Sequence, residues 1–161
     1  MKHCIQCNGI TLLQGEKTEH VRVPTAGGDL EVLVSGVPVA QCSTCGEEYL
    51  KGPDLERADL VASAEAIRQG VREGPTLRFI RKALGLHTAE LGELLGISAD
   101  TVSQWENGQR AAERSMWITL GDLVFDELAG MTTTFDRLRT FAEPCVSRTP
   151  VRVALASVGA K

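Results

Sequence analysis

The sequence predicts an α+β protein, with a small antiparallel β domain followed by an all-helical one. Three observations carry that expectation. Two C-x-x-C pairs, Cys4/Cys7 and Cys42/Cys45, bracket a stretch in which polar and apolar residues alternate. From Pro53 onward apolar residues recur instead at spacings of three and four, the period of a helix. Within that helical part Leu86 to Gly108 reads LHTAELGELLGISADTVSQWENG, two short helices joined by one tight turn.

Between the cysteine pairs Glu19 to Val23 alternates, Ala26-Gly27-Gly28-Asp29 marks a turn, and Leu30–Val34 and Val37–Ala40 read as two further strands broken at Ser35-Gly36. Two residues between cysteines let the chain form a knuckle with both thiolates aimed at one ion. Gly9 and Gly46 follow the pairs, and glycine there takes positive φ and turns backbone amides toward the sulfurs. Cys4, Cys7, Cys42 and Cys45 therefore make a closed tetrahedral thiolate set that suits one structural Zn2+ per chain and pins the open end of the sheet. Redox switching or metal sensing are the other uses of such a cluster. His3 beside Cys4 is expected to be a bystander. With no open metal position, and with His20 and His87 lacking local partners, no catalytic constellation is visible and the chain is not expected to be an enzyme.

Residues 1–52 form the expected β domain, and residues 53–75 a helix linking it to the helix-turn-helix domain. DLERADLVASAEAIRQG places Leu55, Ala58, Val61, Ala62 and Ile67 at near-helical spacing, and Gly74-Pro75 breaks it. The break is either a hinge or the end of a rigid helix packed on one domain.

In the helix-turn-helix, Leu91 and Leu95 share a face, with Gly92 between them where a second helix can approach closely. Gly96 ends that helix, Ile97 plugs the corner, Ser98 caps the next, and Val102 and Trp105 form its buried side. Ala99, Asp100, Ser103, Gln104 and Asn107 are left on the open side, the side such a motif lays in a DNA major groove. An ordinary helical hairpin has no reason to combine Gly92, the Gly96-Ile97-Ser98 turn and the Trp105-Glu106-x-Gly108 ending. Arg110 and Arg114, just beyond, are the candidates for phosphate contacts.

Charge restrains this reading. A net charge of -4 and a pI near 5.4 exclude a protein that coats nucleic acid through a strong positive field. Affinity must come from local placement and from a homodimer on a palindromic operator. After Gly108, Met116, Trp117, Leu120, Leu123, Val124, Phe125 and Leu128 give a strongly apolar helix, either a dimer seam or intramolecular core. Residues 131–161 read as a further helix over Thr132 to Phe141 and a looser tail, with VRVALA alternating like a strand and Cys145 unpartnered in the sequence. No stretch has the length of a membrane span and MKHCIQC lacks the apolar core of a signal peptide, so a cytoplasmic protein without a membrane partner is expected.

LGELLGISADTVSQWENG resembles the Xre, or Cro/repressor-type, helix-turn-helix family, whose five-helix domain covers residues 76–130 here. The resemblance implies a structural pair between Arg81 and Glu106. It also puts Thr88 where the family usually has a phosphate-contacting glutamine. With the CxxCxG start and GVPVAQCSTCGEEY, residues 2–130 are similar to the MqsA or YgiT-type antitoxins of type II toxin-antitoxin systems. That likeness implies a structural zinc domain that binds a small ribonuclease toxin, and a C-terminal domain that dimerises and represses its own operon. It places base reading on Asp100, which accepts from cytosine N4, and on Gln104, which favours adenine. A stand-alone zinc-containing Xre regulator is the other reading.

Overall fold

The computed structural model describes residues 3–9 and 12–142 of the 161-residue chain. Cys145 and the VRVALA segment lie outside the described residues. Strands β1 (Leu12–Val23), β2 (Leu30–Cys42) and the short β3 (Glu48–Tyr49) form an antiparallel sheet in the order β1-β2-β3. Six helices come next, α1 (Gly52–Arg68), α2 (Gly74–Ala83), α3 (Thr88–Leu95), α4 (Ala99–Glu106), α5 (Arg114–Leu128) and α6 (Thr133–Ala142).

The expected break at Ser35-Gly36 is instead a bulge within one continuous strand. Lys17 pairs with Val37 and Glu19 with Val34, so the single Thr18 faces two residues, Ser35 and Gly36. Gly36 supplies the left-handed backbone (φ 78) that such an insertion needs. The extra residue shifts the side-chain phase by one. Val32 and Val34 before it and Val37 and Val39 after it are therefore all buried on one face.

Helix α1 covers that face. Ala58, Ala62 and Ala66, four residues apart, pack on Val21, Val23, Val32, Val34 and Val37, and their small side chains bring helix and sheet close. A different stripe of α1 serves the helical core, where Ala64 is buried with Leu77, Ile80, Leu91, Val102, Trp105, Met116, Trp117, Leu120 and Val124. The segment expected to link two domains is thus a shared wall of both cores, and Phe79 packs against both as well.

Two further contacts fasten the hairpin turn to the helical part. The Thr76 hydroxyl, buried, donates to Pro24 O at 2.7 Å, and the Ala26 amide donates to the Glu73 carboxylate. Gly74 begins α2 where a Cβ would lie 2.4 Å from Trp105 O and 2.7 Å from Glu106 O. Gly74-Pro75 is therefore a packed helix start, with Pro75 in the first turn where its missing N–H costs nothing.

Helices α2 to α5 fall within or against the expected 76–130 span, and α6 packs on α3 and α5 as a fifth. On α5 the expected apolar residues Met116, Trp117, Leu120, Leu123 and Val124 are buried within the chain, which favours the core reading, while Ile118 and Phe125 face outward.

Candidate metal centre and nucleic-acid interface

The two knuckles repeat one hydrogen-bond pattern. Cys4 N donates to Gly9 O and Asn8 N to Cys4 O; likewise Cys42 N donates to Glu47 O and Gly46 N to Cys42 O, all at 2.8 to 2.9 Å. The residue four past the first cysteine takes positive φ in each, Asn8 at 57° and Gly46 at 76°. The expectation for Gly46 holds, but at the first knuckle Asn8 turns the chain and not Gly9. Asparagine tolerates the left-handed region better than most residues. Gly9 answers a different need: a Cβ there would sit 3.0 Å from Thr44 Oγ1, 3.2 Å from Cys7 Sγ and 3.4 Å from Cys42 Sγ.

The four sulfurs all lie within 4.8 Å of one another, with Cys4–Cys45 at 3.5 Å and Cys7–Cys42 at 3.6 Å. A tetrahedral ion with metal–sulfur bonds of about 2.3 Å needs sulfur–sulfur edges of about 3.8 Å. The cluster is therefore dimensioned to bind a metal ion, and four soft thiolates suit zinc. Cys4 and Cys42 are buried, Cys7 and Cys45 exposed. His3 is exposed and outside the cluster.

Tyr49, which sequence reasoning missed, orients the site. Its hydroxyl accepts from Ile5 N at 2.9 Å, which leaves its hydrogen for Cys4 Sγ at 3.0 Å. That donor holds the Cys4 thiol down at about 6 against the opposing effect of burial. Cys45 behaves oppositely. The Glu47 amide favours its thiolate, yet the sulfurs of Cys7, Cys4 and Cys42 together with burial push it up to about 12. Sulfurs this close cannot all ionise without a cation among them, which is the electrostatic signature of a metal-binding set.

At the second site, α3 and α4 meet around the expected turn. Gly96 has φ 67, and Ile97 N donates back to Gly92 O at 2.9 Å, closing α3. A Cβ on Gly92 would lie 2.8 Å from Ile97 O, so the glycine admits the turn as its spacing implied. Ser98 Oγ accepts from Thr101 N at 3.1 Å and caps α4. Val102, Trp105 and Glu106 point inward. Ala99, Asp100, Gln104 and Asn107 are exposed and Ser103 half-buried, so the five outward residues do share one side. Thr88 is half-buried at the start of α3. Arg110 and Arg114 are exposed and take part in no ion pair among the described residues.

Beneath α4 lies a buried ion-pair network. Arg81 donates through Nε to Glu106 Oε1 at 2.5 Å and through Nη2 to Oε2 at 3.2 Å, and its Nη1 reaches Leu86 O at 2.6 Å. Arg78, not singled out in the sequence, adds Nε to Glu106 Oε2 at 3.2 Å and Nη2 to Asn107 Oδ1 at 2.6 Å.

Residues 77–120 match the helix-turn-helix family. The match runs from α2 into α5 and so covers both helices of the motif, the turn and the Arg81–Glu106 network, which makes this segment a DNA-binding helix-turn-helix domain. No curated protein matches the chain. No helix among the described residues is long and apolar enough to cross a membrane.

Proposed function

We propose that the chain is a sequence-specific transcriptional repressor that binds a palindromic operator as a homodimer, with a zinc-stapled β module fixed to its DNA-binding domain. The observation that supports it most is the helix-turn-helix itself, with α4 exposed on the side bearing Asp100 and Gln104. In this reading those two side chains read base edges, with Ala99, Ser103 and Asn107 along the same groove wall, while Thr88, Arg110 and Arg114 meet phosphates. Arg114 opens α5, where a cation opposes the helix dipole. A phosphate at that end turns the same placement favourable. One structural Zn2+ held by Cys4, Cys7, Cys42 and Cys45 stabilises the module.

A finer reading makes the chain an antitoxin whose N-terminal domain binds a small ribonuclease toxin. It rests on the resemblance carried by the two knuckles, the β-rich spacer and the Xre-type motif. Titration of duplex DNA from the chain's own promoter tests the repressor: Gln104→Ala should relax base preference at one position of each half-site, whereas Arg110→Ala should weaken all sequences alike and reduce the salt dependence. Co-expression with the product of the adjacent gene tests the antitoxin, which requires a stoichiometric complex and neutralised toxicity. A stand-alone regulator gives neither.

A further inference from the structure

We infer that the outward stripe of α5 is the surface on which a second copy of this chain docks, the two helices crossing antiparallel with Ile118 on the two-fold axis. The inference rests on the homodimer proposed above and assigns its interface. Arg114, Ile118, Asp122 and Phe125 are all exposed, at spacings of four, four and three, so they share one side of α5, apart from the buried Met116, Leu120, Leu123 and Val124. Ile118 is 56% and Phe125 36% exposed. Beside them lies an open cavity of about 550 Å³, walled by Ile67, Val71, Arg72 and Trp117. The Arg68 guanidinium stands over the Phe125 ring, 5.3 Å from its centre, and steadies it at the cavity's edge. Contiguous apolar surface with a charged border is the mark of an interaction site.

The charges on the stripe identify the occupant. Arg114 and Asp122 lie about 12 Å apart along the helix, too far to pair with each other, and neither takes part in an ion pair among the described residues. Ile118 stands midway between them. A two-fold axis through Ile118 and perpendicular to α5 therefore brings Arg114 of each copy opposite Asp122 of the other, and Ile118 onto Ile118, which is the self-complementarity an isologous contact requires. An axis parallel to the helix would instead set Arg114 against Arg114 and Asp122 against Asp122, so the charge pattern selects the antiparallel crossing. The same crossing carries Phe125 of the second copy about 10 Å from the axis, level with Ala111, where Val71, Arg72, Ala111 and Ala112 border one cavity. The Asp122 carboxylate also meets the N-terminal end of the other α5, whose dipole opposes Arg114 alone and favours an anion beside it. A carboxylate engages two of the five guanidinium donors, so Arg114 keeps others for a phosphate.

Sedimentation of the full chain without DNA, over a dilution series, reads the dimer apart from its function. Arg114→Asp or Asp122→Arg sets like charges together at both ends of the crossing and should weaken the dimer by about tenfold or more. Arg114→Asp/Asp122→Arg restores opposite charges and should return it close to the parent. Such a recovery cannot come from a misfolded chain. Ile118→Glu places two carboxylates on the axis and should leave only monomer. A double variant as weak as the single ones, or an Ile118→Glu chain as dimeric as the parent, overturns the inference and moves the homodimer to another face. A parent that stays monomeric throughout also overturns it and leaves the cavity to a different occupant. The homodimer on DNA is then judged separately, by whether the chain selects an inverted repeat.

Discussion

Removing the Glu106 carboxylate should be among the most damaging single changes in the helical domain. Its side chain is 4% exposed and that of Arg81 8%, so neither charge has water to fall back on. Breaking a buried pair by deleting one partner costs about 3–5 kcal/mol, because the remaining charge is stranded. Arg78 adds little to that figure. Its side chain is 45% exposed, and contacts of that kind contribute about 0–1 kcal/mol. Glu106→Gln keeps the shape and one acceptor, so a loss near 3 kcal/mol is expected, a large share of the roughly 5–15 kcal/mol of a typical domain. Arg81→Met/Glu106→Leu removes both charges and leaves chiefly Leu86 O without its donor, at about 1 kcal/mol. The double variant should therefore be more stable than either single one. Urea denaturation reads this as a shift in midpoint at constant slope. A Glu106→Gln loss below about 1 kcal/mol, or a double variant as unstable as the two single losses added, would refute the reasoning.

The same geometry sets other outcomes. Purified protein should carry one zinc per chain, and Cys42→Ser or chelation should melt the β module first, because binding of this kind supplies on the order of 10 kcal/mol; metal-free protein with an intact sheet by circular dichroism contradicts it. Tyr49→Phe should weaken metal retention against a competing chelator by about tenfold or more, since it removes the hydrogen bond to Cys4. Gly74→Ala and Gly92→Ala each drive a Cβ into backbone oxygens and should each cost about 1–3 kcal/mol in thermal unfolding. Asp126 is held below the usual carboxylate range by the Thr134 hydroxyl and amide, the latter donating at 2.7 Å at the start of α6. Its contribution is complete above its ordinary value of 3.8 and fades as pH falls through the lowered one, and Asp126→Asn should remove that part of the acid sensitivity.

How much of the molecule is legible in its sequence depends on how local the cause is. The Gly92, Gly96 and Ser98 roles, the inward Val102 and Trp105 and the four-cysteine set all arise from spacing within one motif, and the structure places them as expected. The bulge reads as a break, although Val34 and Val37, three apart in a run of alternating valines, carry its phase shift. Gly74 reads as a helix breaker because the backbone it touches, at Trp105 and Glu106, is distant in sequence. Arg78 and Tyr49 act through equally distant partners, Asn107 and Cys4, and nothing in their own neighbourhoods announces it. The double duty of α1 is half visible, since Ala58, Ala62 and Ala66 mark one stripe while Ala64 alone marks the other.

The central claim is that α4 reads DNA from a paired helix-turn-helix. Selection from a random duplex library by the full chain, repeated with Gln104→Ala, tests it most directly. The account requires enrichment of an inverted repeat with half-site centres about 34–36 Å apart or a multiple of that, and relaxed selection at one position per half-site in the variant. A library that emerges unenriched, or an identical motif selected by Gln104→Ala, contradicts it.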